Sequence, residues 1–137
     1  MRRMVLAVAG ALLFATPLKA LKAKDCPVEE FTLDAREDAI RKAPGCMQAL
    51  EIMQACAYGA GGDTSLAAAL REHCEPEFLG KLSKAQKKAY GREQKRCDDR
   101  YAKQSGTMYR SFAAFCQAQS TVNYSRRFGT KPEPKPR

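Results

Sequence analysis

Cys97-Asp-Asp-Arg-Tyr-Ala-Lys-Gln-Ser-Gly106-Thr-Met-Tyr-Arg-Ser-Phe-Ala-Ala-Phe-Cys116 reads as two helical arms meeting at a turn. Ser105-Gly106-Thr107 interrupts the helix-forming residues and offers a fresh cap. Cys97 lies nine residues before Gly106 and Cys116 ten after it. Antiparallel helices bring residues equidistant from their turn together, so the stretch predicts a hairpin stapled by Cys97–Cys116.

Both arms extend outward as helices. The C-terminal arm runs from about Met108 to Arg127, with Met108, Phe112, Phe115, Cys116, Gln119 and Val122 at helical spacing, and Gly129 ends it. In the N-terminal arm Leu82, Ala85, Ala89, Tyr90, Cys97 and Tyr101 share a broad stripe. Lys84, Lys87, Lys88, Arg92, Lys95 and Arg96 fall largely outside it. Ser83-Lys84-Ala85-Gln86 has the form of a capping box, so a helix either restarts at Ser83 or passes through it.

Upstream, Asp63 or Thr64 can cap a helix holding Leu66, Ala69, Leu70 and Cys74, and Glu75-Pro76 marks its boundary. Gly59-Ala60-Gly61-Gly62 stops a preceding helix over Met47 to Tyr58, because that much glycine costs too much backbone entropy. Thr32 caps a first helix over Leu33 to Ala43, which Pro44-Gly45 ends. Few stretches alternate as strands do. The expected fold is an all-α, disulfide-stapled bundle of four to five helices.

The chain has six cysteines: Cys26, Cys46, Cys56, Cys74, Cys97 and Cys116. Behind an export signal an even set reads as a disulfide framework. Cys56–Cys74 is centred on Ser65, just past the glycine turn, and would leave Cys26–Cys46. Cys46–Cys74 is centred on Ala60, inside that turn, and would leave Cys26–Cys56. The first arrangement is preferred and the second stays open.

Met1-Arg2-Arg3-Met4 is a basic start, and Val5 to Ala15 is an apolar run of eleven residues. A bilayer span needs roughly 20, so residues 1–23 are expected to be a signal peptide, cleaved after Ala20 or Ala23. The helical domain is then 24–128, and the proline- and lysine-rich stretch 129–137 is expected to be a disordered tail. The expected location is the bacterial periplasm or the exterior. The chain carries 24 Lys+Arg against 15 Asp+Glu. A signal ending at Ala20 removes Arg2, Arg3 and Lys19 and leaves 21 against 15, a net charge of about +6.

Cys46-Met-Gln-Ala-Leu-Glu-Ile-Met53-Gln-Ala-Cys56-Ala57 resembles the opening motif of the lysozyme-inhibitor LprI N-terminal family, whose members are small, exported, helical and cysteine-bearing. Asp63 and Leu66, then Leu82-Ser-Lys-Ala-Gln86 with Cys97, and finally Gly106-Thr107, Cys116 and Thr121 resemble its later positions. The resemblance covers about 80 residues, Cys46 to Arg127. Departures are Ala89-Tyr90 in place of a tryptophan, Glu93 at an arginine position, Ala67 at an asparagine position, and the added Cys26 and Cys74. What the resemblance implies is binding to a lysozyme-like hydrolase.

No enzyme, cofactor or metal site is expected. His73 is the sole histidine, beside Cys74, and no Cys-x-x-Cys or paired-histidine motif exists. Asp98-Asp99 point apart on a helix. Asn123-Tyr124-Ser125 is a chance glycosylation triplet. Tyr109, Tyr124 and Phe128 are expected to pack between helices rather than form an exposed patch. Nucleic acid is not an expected partner, since no basic stripe is interleaved with stacking aromatics. Two partner classes remain. A basic hydrolase would need acidic surface, which Glu29, Glu30, Asp34, Glu37 and Asp38 could supply. An anionic lipid or polysaccharide would engage Lys87, Lys88, Arg92, Lys95 and Arg96.

Overall fold

A computed structural model describes residues 25–129. The expected signal peptide and residues 130–137 of the expected tail lie outside them. Within the described residues the chain is helical and has no strand. Helix α1 spans Leu33–Arg41, α2 Cys46–Ala55, α3 Asp63–Phe78, α4 Lys84–Tyr101 and α5 Thr107–Phe128, with a 3₁₀ turn at Leu79–Lys81.

The boundaries follow local chemistry. Thr32 accepts a hydrogen bond from the Ala35 N–H and starts α1. Ser83 restarts a helix with a complete capping box, its hydroxyl accepting from the Gln86 N–H and Gln86 Oε1 accepting from the Ser83 N–H. Three positions depart from the sequence reading. Helix α3 is capped by neither Asp63 nor Thr64: its N-cap is Gly62, and Asp63 is the first helical residue, its carboxylate accepting from the Tyr58 and Gly59 N–H groups of the preceding loop. The cap of α5 is Gly106 at φ 115°, a conformation closed to threonine, and Thr107 is the first helical residue. Helix α3 passes through Pro76 instead of ending at Glu75. Two helical residues remain beyond the proline, and the second, Phe78, is fully buried, so packing outweighs the missing N–H.

Helices α3 and α5 form the centre. They run parallel, as three cross-links in register show: Ser111 to Asp63, Arg71 to Gln117 and Ser125 to Glu77. Helix α1 packs on α3, with α2 wedged against both, and α4 packs chiefly on α5. The main core joins Ile40, Leu50, Met53, Leu66, Leu70 and Val122. A second cluster of Phe78, Leu82, Tyr90 and Tyr124 fills the space under the start of α4. No helix among the described residues is long and apolar enough to cross a membrane.

Three disulfides staple this arrangement: Cys26–Cys56, Cys46–Cys74 and Cys97–Cys116. The hairpin bridge is the one predicted. The preferred Cys56–Cys74 and Cys26–Cys46 pairing is corrected to its alternative. Helices α2 and α3 are antiparallel about the loop 56–62, so Cys56 stays at the loop while Cys46, at the far end of α2, meets Cys74 with Cα atoms 5.5 Å apart. The N-terminal segment instead brings Cys26 to Cys56 at the loop.

Candidate binding surface

Helix α4 turns Tyr90 and Cys97 inward and leaves Lys87, Lys88, Arg92, Lys95 and Arg96 exposed, as the stripe predicts. Lys84, Lys88, Arg92, Arg96 and Arg100 follow one another at intervals of four. The row is about 24 Å long at 1.5 Å per residue. Among the described residues Lys95 alone of the α4 cations has an ion pair, with Asp99 at 2.7 Å. Each like-charged i, i+4 contact costs roughly 0.2–0.5 kcal/mol, so the row opposes its own helix by about 1–2 kcal/mol.

Three features hold α4 against that repulsion. The capping box secures its start. Tyr90 is buried, edge-on to Phe78 at 5.3 Å and against Tyr124 at 4.8 Å. Cys97–Cys116 ties its second half to α5. A polar seam runs between them: the Tyr90 hydroxyl donates to Glu75 at 2.8 Å and lies 2.8 Å from Thr121 Oγ1, while Gln94 donates to the Gln117 carbonyl. Burial pushes the Tyr90 phenol above its ordinary pKa, and burial together with the Glu93 charge raises that of Tyr124.

Between the helices lies an open groove of about 390 Å³. Helix α4 supplies Glu93, Arg96, Cys97 and Arg100, and α5 supplies Cys116, Gln119, Ser120 and Asn123. Ser120 donates to Glu93 at 3.0 Å, which leaves the two guanidinium groups as the groove's cations.

The opposite flank is acidic. Glu30, Asp34, Glu37, Asp38 and Arg41 border a shallow depression of about 560 Å³ on α1. Part of that charge is internally matched: Arg41 bridges Glu37 and Glu72 at 2.9 Å, and Lys42 bridges Asp38, holding the Asp38 carboxyl below its usual range. Residues 25–77 carry eleven acidic and four basic side chains, whereas 78–129 carry three and twelve. Helices α3 and α5 stand between the flanks, so the protein is electrically two-sided. Counting charge by halves would have shown this in the sequence.

The other sequence candidates settle elsewhere. All six cysteines are bridged, so no thiol stands beside His73. Asp98 accepts from Gln117 and Asp99 from Lys95, pointing apart as expected. Tyr124 is buried and Phe128 packs on it at 5.6 Å. The one departure is on α5, where the spacing of Met108 and Phe112 suggests a buried face. Small residues such as Ser111, Ala114 and Ala118 face the core instead, because α5 is flanked closely by α3 and α4. Met108 and Phe112 are left 49% and 43% exposed.

The fold and surface define a small, disulfide-stapled helical domain with one cationic and one acidic flank. Compared with family models, curated proteins and solved structures, the chain finds no match in any of the three.

Proposed function

We propose that this is an exported, non-catalytic protein of the bacterial cell envelope that acts by surface binding, through the cationic outer face of α4, on an anionic lipid or polysaccharide. The observation that carries the reading is the row from Lys84 to Arg100. It is exposed and costs helix stability, and an anionic partner would relieve its repulsion. Three bridges and no free thiol support an oxidising compartment. Asp63 is committed to holding the loop after α2, and every cysteine is paired.

The test is binding of the mature protein to lipopolysaccharide and to dextran sulfate across a salt series. Affinity should fall steeply with salt, and joint replacement of Lys87, Lys88, Arg92, Lys95 and Arg96 by glutamine should abolish it. Absent or salt-insensitive binding overturns the proposal.

A second reading is inhibition of a lysozyme-like hydrolase. The acidic depression on α1 favours it, since a basic hydrolase would meet Glu30, Asp34, Glu37 and Asp38 there. The resemblance to the LprI N-terminal family points the same way. Undiminished peptidoglycan digestion at large molar excess of the protein would remove it.

A further inference from the structure

Among the described residues, three large hydrophobic side chains stand exposed: Phe31, Met108 and Phe112. Phe31 belongs to the acidic flank, where it lies over the Arg36 guanidinium. Met108 and Phe112 are one turn apart on the same face of α5, at the turn end of the α4–α5 hairpin. Phe112 leans on Tyr101 at 5.8 Å and Tyr109 at 6.0 Å, so the end of the hairpin is an aromatic cluster with an apolar tip. Arg100 and Lys103, on either side of Tyr101 in sequence, are exposed, and Arg110 borders a surface depression with Tyr101 and Tyr109.

We propose that this end of the hairpin docks on an anionic lipid bilayer, with Met108 and Phe112 entering the headgroup–acyl boundary and Arg96 and Arg100 holding lipid phosphates. The proposal rests on the cationic-face reading above and selects one of its two ligand classes. Helical geometry sets the match. Phe112 is four residues, about 6 Å along the axis, from Cys116, which lines the groove with Arg96 and Arg100. Apolar groups at the boundary therefore place cations at phosphate level, the arrangement of interfacial segments, and tyrosines such as Tyr101 and Tyr109 favour the same depth. A hydrated polysaccharide would take the cations but remove little water from Met108 and Phe112. Cys97–Cys116 ties the two arms one turn behind Phe112, which keeps the tip formed without a ligand. The acidic flank lies beyond α3 and α5, so a negative membrane surface orients the molecule with α4 and α5 toward it.

The experiment is co-sedimentation of the mature chain with phosphatidylcholine vesicles, with and without phosphatidylglycerol, alongside binding to dextran sulfate. Wild type should bind only the anionic vesicles. Met108→Ser combined with Phe112→Ser should weaken vesicle binding by about tenfold while leaving dextran sulfate binding unchanged. The chain has no tryptophan, so Phe112→Trp gives a single tryptophan that can be excited selectively over the tyrosines. Its emission should shift to the blue on anionic vesicles and be quenched by lipids brominated near the headgroup end of the acyl chain. Dextran sulfate binding without vesicle binding, an unaffected serine double variant, or an unquenched tryptophan each overturns the lipid assignment and leaves the cationic-face reading standing. Wild type that binds neither ligand overturns both.

Discussion

Ser111 donates a 2.6 Å hydrogen bond to the fully buried Asp63 carboxylate from 48 residues away. The same carboxylate accepts from the backbone N–H groups of Tyr58 and Gly59 at 2.7 and 2.9 Å. One side chain thus closes the glycine loop after α2 and ties it to α5. Asp63→Ala removes three bonds and leaves buried donors unmatched, so it should cost about 3–5 kcal/mol in denaturant unfolding. Ser111→Ala, which leaves the loop bonds in place, should cost about 1–2 kcal/mol.

The disulfide arrangement predicts a peptide map. Digestion without reductant should yield linked peptides for Cys26–Cys56, Cys46–Cys74 and Cys97–Cys116 and for no other pair. Replacing Cys97 and Cys116 by serine opens a loop with a sequence separation of 19, which should lower stability by about 3 kcal/mol while far-ultraviolet dichroism keeps its helical signature.

Helix α4 carries charge at the expense of stability, so relieving the charge should stabilise it. Arg92 stands four residues from both Lys88 and Arg96. Arg92→Glu turns two repulsive contacts into attractive ones and should raise stability by about 1–2 kcal/mol at low salt, less at high salt. The same variant should bind dextran sulfate more weakly. A gain in both properties would show that the row is not the binding element.

Alkaline stability should report the buried phenols. The folded-state pKa values of Tyr90 and Tyr124 lie above the unfolded value near 10, so the folded chain holds those protons longer. Their contribution is fully present below pH 10 and is lost as pH rises through the folded-state values. Short-exposure chemical unfolding should therefore show stability falling from about pH 10 upward. Tyr90→Phe should reduce the steepness of that fall, at the cost of the hydrogen bond to Glu75.

The legible parts of the fold are those written in short range. The Ser83–Gln86 capping box, the Thr32 cap, the turn at Gly106 and the near-equal spacing of Cys97 and Cys116 about it each involve residues within a turn or one hairpin of one another. The cationic outer face of α4 was legible for the same reason, since helical period alone separates Lys88 and Arg92 from Tyr90 and Cys97. The groove was not. Gln119, Ser120 and Asn123 become its wall only once α4 is laid against α5.

By itself, the sequence determined that this chain is helical, where most of its helices start and stop, and which side of α4 faces water. Backbone propensity, caps and a 3.6-residue period act locally, and they suffice for that. The tertiary structure alone decided that Cys46 rather than Cys56 meets Cys74, that α3 continues through Pro76, that Asp63 holds a loop, and that Met108 and Phe112 remain in water. Each of these depends on which helices become neighbours and how closely, and burial of side chains distant in sequence sets that.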